Sequence, residues 1–259
     1  MWPVEAACAA CFTFDFDAEE VWIGEDPDNA ARPGVLSQGT YGAKVAVPAI
    51  LELLQRYGVR ATFFVPGRVA ERYPERVEQI VAGGHELAHH GYTHRAVTTL
   101  DADQEEEEMA KGLAALQKFS SSVRGYRSPS WELTDRTLEL VARHGLDYSS
   151  NLMDDVRPYR HEATGVMELP IHWMLDDAAH FWFDGAGWTN KIATNSEVRE
   201  IWRGEFEGIK SMGGAFTLTM HPQIIGRPSR LALLDELLAF VSVQHDVWVA
   251  TAAEVTAAR

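Results

Sequence analysis

Apolar, β-prone runs alternate with segments of helical periodicity along almost the whole chain, and this alternation restricts the architecture more than any other feature. Cys8 to Asp15, Arg60 to Val65, His85 to Ala88, Val123 to Tyr126, Leu146 to Ser150, Met167 to Ile171, Ala215 to Met220 and Val247 to Ala250 read as strands. Between most of them lie helical patterns: Ala43 to Tyr57, with Val47, Ile50, Leu51 and Leu54 on one face, then Arg68 to Ala82, Asp101 to Phe119, Thr134 to His144, Glu197 to Ser211 and Arg230 to Val243. Strands joined through helices run parallel and need cover on both sides. At 259 residues, with no repeat and no linker-like shift in composition, closure into one (β/α) barrel of about seven parallel strands is the economical solution. In such a barrel, catalytic groups gather where the strands end.

The chemistry-bearing residues fall at those ends. Asp15 and Asp17 close the first strand, and residues two apart point to one face, so both carboxylates can aim into one site. Two buried acids that close need a cation or a shared proton; otherwise they are a solvent-facing pair. The third strand runs into His89-His90-Gly91-Tyr92-Thr93-His94. Histidines four apart can converge, and with one carboxylate they form a set that suits Zn²⁺, Fe²⁺, Mn²⁺ or Co²⁺ with open positions. His90 and His94 are preferred, because Gly91 permits a tight loop there, while His85 and His89 are the competing pair. Arg127 opens the loop after the fourth strand, stiffened by Pro129, and a guanidinium can hold a carboxylate ionised. His221 follows a strand that Pro222 stops.

Cys8 and Cys11 form a C-x-x-C, but on a strand they point to opposite faces, and there is no second cysteine pair to complete a thiolate site. The Glu105 to Glu108 run reads as a solvated helix face. Lys plus Arg number 23 against 38 Asp plus Glu, a formal charge of −15. That balance argues against nucleic acid and anionic membranes as partners, and against an anionic polymer as substrate. No apolar run approaches the ~20 residues of a bilayer span. The N-terminus has neither the basic nor the apolar part of a secretory signal, so a cytoplasmic protein is expected.

Together the motifs resemble the polysaccharide deacetylase (NodB-homology, carbohydrate esterase 4) superfamily. Thr13-Phe14-Asp15-Phe16-Asp17 is similar to its T-F-D-D motif, His90-Gly91-Tyr92-Thr93-His94 to H-[ST]-x-x-H, Arg127-Ser128-Pro129 to R-x-P, and Leu218-Thr219-Met220-His221 to L-x-x-H. The resemblance implies a distorted (β/α) barrel spanning residues 1–259 as a single domain. It implies Asp15 as general base, Asp17, His90 and His94 as ligands of one divalent metal, Arg127 as the group that orients Asp15, and His221 as general acid. Zinc is the expected metal, with Co, Mn, Ni or Fe as alternatives. The implied reaction is metal-assisted hydrolysis of a non-peptide amide C–N bond.

The inserted Phe16 resembles a D-x-D subgroup that contains peptidoglycan-deacetylase homologues, allantoinase-like proteins and cyclic imide hydrolases. Leu175-Asp176-Asp177 with Phe181, and His221-Pro222 with Gly226-Arg227-Pro228, also look like that subgroup. It commonly carries Tyr-Asp-Ser-Ser where this chain has Tyr148-Ser149-Ser150-Asn151, which removes an acid that could support His221. Two long loops, 18–42 and 173–194, are expected to cover the site as lid-like insertions. Trp131, His172 and Trp173 are expected to line a pocket for a sugar amide or a small cyclic amide, together with Trp182. The competing class is a catalytically silent carbohydrate- or ligand-binding barrel; either could form a homo-oligomer.

Overall fold

In the computed structural model, residues 2–183 and 191–259 are described. Among them, nine strands form one curled sheet: β1 (Cys8–Asp15), β2 (Thr62–Val65), β3 (Glu86–His89), β4 (Gly125–Tyr126), β5 (Tyr148–Ser149), β6 (Tyr159–Arg160), β7 (Met167–Glu168), β8 (Ala215–Met220) and β9 (Val247–Val249). The order is β6-β7-β5-β4-β3-β2-β1-β8, with β9 also pairing β1. All pairings are parallel except β6 with β7, an antiparallel edge that the sequence pattern does not announce. Past β8, a lone parallel bridge joins Asp176 to Thr219. The sheet is therefore a curled half-barrel, continued by irregular chain.

Around it lie α1 (Glu20–Glu25), α2 (Pro33–Tyr41), α3 (Val47–Tyr57), α4 (Gly67–Arg72), α5 (Pro74–Ala82), α6 (Ala102–Leu116), α7 (Thr137–Arg143), α8 (Asp177–Phe181), α9 (Asn195–Met212), α10 (Pro222–Ile225), α11 (Pro228–Ser242) and α12 (Ala252–Ala257). The single helix expected over 68–82 is broken into α4 and α5. Pro74 forces Tyr73 out of the helical region, to φ −126° and ψ 52°. No described helix is long and apolar enough to cross a membrane.

β1 is buried along its entire length, as a parallel strand covered on both faces must be. Its alternation divides the core. Ala10, Phe12 and Phe14 pack outward against the helices, where Phe14 stacks on Phe63 at 4.9 Å. Ala9 and Cys11 join Phe64, Ala88, Tyr148 and Ala215 inside the curl. The inner residues are mostly small because the curl is tight. At Gly125, a Cβ would stand 1.9 Å from the Tyr148 ring, so only glycine fits. Cys8 and Cys11 are both free and buried, and burial raises both thiols, Cys8 to about 11. A redox or metal pair would need accessible thiolates, and these two serve as packing.

The expectation of a long loop over 18–42 is corrected. This segment folds into α1, a 3-10 turn at Pro27–Ala31, and α2. Its Pro, Gly, Asp and Asn content hides the helices, because tertiary contacts hold them. Buried Glu20 faces Arg68 at 3.6 Å and Arg72 at 3.4 Å, and Glu19 accepts from the Tyr73 hydroxyl at 2.5 Å. The second insertion contains a 3-10 turn at Trp173–Leu175, followed by α8. Trp188, in the same insertion, lies outside the described residues.

Candidate active site

Register brings the strand ends level. Asp15 is the last residue of β1 and pairs with Phe64, while Phe14 pairs with Met220, so Asp15 faces His221 one step beyond β8. His89 pairs with both Val65 and Tyr126, which sets His90 beside Arg127. Cys11, Thr13 and Asp15 share the inner face of β1, so the first acid points into the curl.

Asp15 is enclosed by partners. The Arg127 guanidinium donates to its Oδ1 at 2.7 Å and to the Thr13 hydroxyl oxygen at 2.9 Å. Arg127 also donates to the Ser150 carbonyl at 3.3 Å and hydroxyl at 3.0 Å, and lies over the Phe64 ring at 4.0 Å. Burial pushes the Asp15 pKa up, but Arg127, His90 and His221 outweigh it and hold the carboxyl below the usual range. An arginine buried this completely has no water to satisfy it, so each bond substitutes for hydration.

Asp17 is equally buried and has no such shell. Neither carboxylate oxygen has a hydrogen-bond partner among the described residues. Burial, with Asp15 adding to it and His221 opposing, pushes its pKa well above the ordinary value. Its Oδ1 lies 3.4 Å from His90 Nε2 and 3.5 Å from His94 Nε2. The Nδ1–H of His90 donates to the Arg127 carbonyl at 2.6 Å, which leaves the Nε2 lone pair facing Asp17. Asp17, His90 and His94 each offer one donor atom, all within 4.8 Å of one another. The Asp17–histidine separations match the ~3.4 Å edge of a tetrahedron with ~2.1 Å bonds, so the residues fit a zinc-sized cation.

The competing histidines are occupied. His89 accepts from the Gly91 amide at 2.9 Å, and its other ring nitrogen donates to the Met109 carbonyl at 2.9 Å. His85 accepts from the Ala61 amide at 3.1 Å. Burial lowers both to about 4, so they remain neutral structural residues.

The loop that carries His90 and His94 is tightly constrained. Gly91 sits at φ 73°, where the serine or threonine of the family pattern would be strained. Ala18, His94, Ser130 and Trp131 also hold left-handed backbone, each at a cost of roughly 1–2 kcal/mol. All four border the strand-end cleft or adjoin Asp17. Glu108 braces the loop from α6, accepting from the amides of Tyr92 at 2.9 Å and Thr93 at 2.7 Å. The expected solvated face over 105–108 is thus corrected at both ends. Glu105 is buried and accepts from Thr137 at 2.6 Å and Arg136 at 3.0 Å. A run of four glutamates on one helix reads as solvent-facing only while the elements docking against α6 are unknown.

His221 Nδ1–H donates to Asp177 at 2.6 Å, and Asp177 also accepts from the His221 amide at 3.0 Å. Asp176 Oδ1 lies 3.6 Å from the same ring nitrogen. Burial alone would lower the imidazole pKa, but the two acids raise it well above its usual value. Burial lifts Asp176 to about 7, with His221 opposing and Asp177 adding. The acid missing at Ser149 is therefore supplied from α8 and the residue before it, a role that the sequence signalled only through the Leu175-Asp176-Asp177 motif.

These groups open into a cleft of about 530 Å³. Trp131 and Trp173 stack at 4.3 Å on its wall, and Trp182, stacked on Trp22 at 5.2 Å, ties the two insertions together. His172 stands elsewhere. It lines a separate hollow with Met153 and Met212, and its Nδ1 accepts from the Met174 amide at 3.2 Å. His172 is extended, at φ −158° and ψ 145°, and the 3-10 turn begins at the next residue, so Trp173 reaches the cleft and His172 does not.

A carboxylate held ionised, an imidazole held protonated and an unpartnered carboxylate between two imidazoles thus meet at one end of the sheet. The polysaccharide deacetylase family model matches residues 39–149. A peptidoglycan deacetylase of Helicobacter pylori is 28% identical over 272 residues, covering 91% of this chain and 90% of that one. A crystal structure of a Mycobacterium smegmatis protein assigned as a polysaccharide deacetylase is 40% identical, with TM-score 0.96, over 99% of this chain and 91% of that one. The PuuE allantoinase structure shares the fold, at TM-score 0.84 and 21% identity over 99% of this chain and 91% of that one. The chain belongs to the polysaccharide deacetylase family, hydrolases of carbon–nitrogen bonds other than peptide bonds.

Proposed function

We propose that the protein is a metal-dependent hydrolase that cleaves a non-peptide amide C–N bond, de-N-acetylation of an amino sugar being the reading its relatives favour. The observation that carries this is the contrast at one strand end, where Asp15 is held ionised by Arg127 while Asp17 leaves both oxygens unpartnered between His90 and His94. Asp17, His90 and His94 would hold one divalent ion, zinc before Co, Mn, Ni or Fe, which when bound polarises the amide carbonyl and acidifies a water. Asp15 takes the proton of the attacking water, and its hydroxyl goes to the carbonyl carbon. His221 gives a proton to the leaving nitrogen as the C–N bond breaks, so acid and amine are the products. Asp177 fixes the His221 tautomer, so that Nε2 faces the cleft. Trp131 and Trp173 offer a stacking face for the substrate. Residues 1–259 are read as one catalytic domain, with the insertions near 18–42 and 173–194 walling the cleft.

A small cyclic amide is the second reading, favoured by a cleft that both insertions enclose through the Trp22–Trp182 stack. Purified protein loaded with Zn²⁺ or Co²⁺ would be assayed on N-acetylglucosamine oligomers and on hydantoins and imides. Amine or acetate release from the first group is expected. Turnover of neither, at full metal occupancy, would replace the hydrolase by a silent ligand-binding barrel.

A further inference from the structure

The cleft does not end at the candidate metal ligands. Val21, His94 and Ser130 are shared with a second hollow of about 820 Å³, lined on past His94 by α1, the 92–96 loop and α6. The cations on its wall are Arg68, Lys111 and Arg95. Arg68 faces Glu20, and Lys111 pairs with Glu107 at 2.5 Å. Of the acids there, Glu108 is engaged by the Tyr92 and Thr93 amides, and Glu25 stands exposed at the rim. Arg95 is half-buried and, among the described residues, makes no hydrogen bond, ion pair or ring contact. Lys191, on the wall of the first cleft, is exposed, lies in the field of Glu197, and makes no hydrogen bond or close ion pair among the described residues.

A guanidinium is always charged, and leaving it partly desolvated without a counter-ion is unfavourable. In a chain of net charge −15 such a cation is unexpected, because acids are abundant. We infer that Arg95 is a specificity-determining residue that receives a carboxylate carried by the amide substrate. The inference rests on the hydrolase reading above and narrows its substrate to an anionic small amide. The global acidity repels an anionic polymer, whereas a single negative group can be met by Arg95, the one cation on the wall of this hollow that no acid pairs among the described residues. Arg95 directly follows His94, whose left-handed backbone, at φ 57°, fixes the direction in which the chain leaves the site. Because Arg95 is the residue next to His94 and its hollow shares Val21, His94 and Ser130 with the cleft, we place the carboxylate on the ring that carries the amide or on its immediate substituent, where a guanidinium can take it bidentately.

N-acetylmuramic acid and N-acetylglucosamine differ by one carboxylate-bearing ether beside the acetamido group, and so form a matched pair of probes. Their affinities for zinc-loaded protein would be read from quenching of the cleft tryptophans, before product accumulates. The acid is expected to bind about tenfold more tightly than the neutral sugar, a preference set by one charge-assisted contact. Arg95→Gln should abolish the preference, Arg95→Lys should keep part of it, and Lys191→Gln should leave most of it. Equal affinities in the parent protein, no detectable binding of the acid, or a preference that survives Arg95→Gln would each overturn the assignment. So would a preference lost in Lys191→Gln alone. A preference present without hydrolysis of either sugar would sink the catalytic reading and leave that of Arg95, whereas hydrolysis without preference would do the reverse.

Discussion

Asp15 and Asp17 are the same residue type, two positions apart and equally buried, yet the molecule treats them oppositely. Around Asp15 every requirement is met within the protein. Arg127 neutralises it, and Thr13 and Ser150 complete the guanidinium. Around Asp17 the protein stops short: the imidazoles of His90, His94 and His221 approach it at 3.4–3.8 Å, yet neither oxygen accepts a hydrogen bond among the described residues. A satisfied carboxylate is the state that the proposed base requires. An orphaned one marks a place where something positive must come from outside. The difference teaches that burial alone does not assign a role; what the surrounding donors leave undone does.

The largest test removes the orphan. Asp17→Ala is expected to eliminate stoichiometric zinc, read by elemental analysis, and to lower kcat/KM on the order of a thousandfold, since loss of the ion forfeits several kcal/mol. Retained metal in both Asp17→Ala and His94→Ala would mean that the ligands are elsewhere.

Stability of the metal-free protein separates the two acids by sign. Asp15→Asn leaves Arg127 buried and unpaired and should cost about 3–5 kcal/mol in urea unfolding. Asp17→Asn removes an unsatisfied, ionisable carboxyl group and should be neutral or stabilising by about 1–3 kcal/mol. Equal destabilisation by both would erase the contrast. The pH dependence follows the same logic. Asp15, with its folded pKa depressed, contributes stability above the ordinary value of about 3.9 that is lost as pH falls through the folded pKa. Asp17, raised, has the opposite sign: it detracts increasingly as pH climbs from that value toward its folded pKa. Below the raised folded pKa, metal uptake releases a proton from Asp17, and calorimetry in two buffers of different ionisation enthalpy reads it. No buffer dependence in the parent protein would contradict the raised value.

Two smaller effects test the supports. Asp177→Asn should lower kcat roughly 10–100-fold and shift the basic limb of the pH–rate profile downward, because His221 loses a partner that keeps it protonated. Glu108→Ala should weaken zinc affinity about tenfold by freeing the Tyr92–Thr93 backbone. An unchanged affinity would reduce Glu108 to a surface contact.

Much of this was legible in the chain. The long apolar runs of β1 and β8 and the periodic helices α3 and α6 were readable, because a strand buried on both faces and an amphipathic helix each impose their own pattern. So was the placing of Asp15, His90, Arg127 and His221 just after or at strand ends. The helices inside 18–42 were not, since Glu19 and Glu20 are held by Tyr73, Arg68 and Arg72, partners about 50 positions away. Nor was the work of Glu105 and Glu108, whose partners belong to neighbouring loops.

The sequence by itself determined an alternating α/β chain and the chemical inventory at its strand ends, because periodicity and residue type are local properties. Only the tertiary structure decided which two of four neighbouring histidines face Asp17, which acid holds His221, why Arg127 belongs to Asp15, and that His172 turns away. Those are matters of convergence between segments up to 112 residues apart. Charge pairing and desolvation act through space, over a few ångströms, with no regard for separation along the chain.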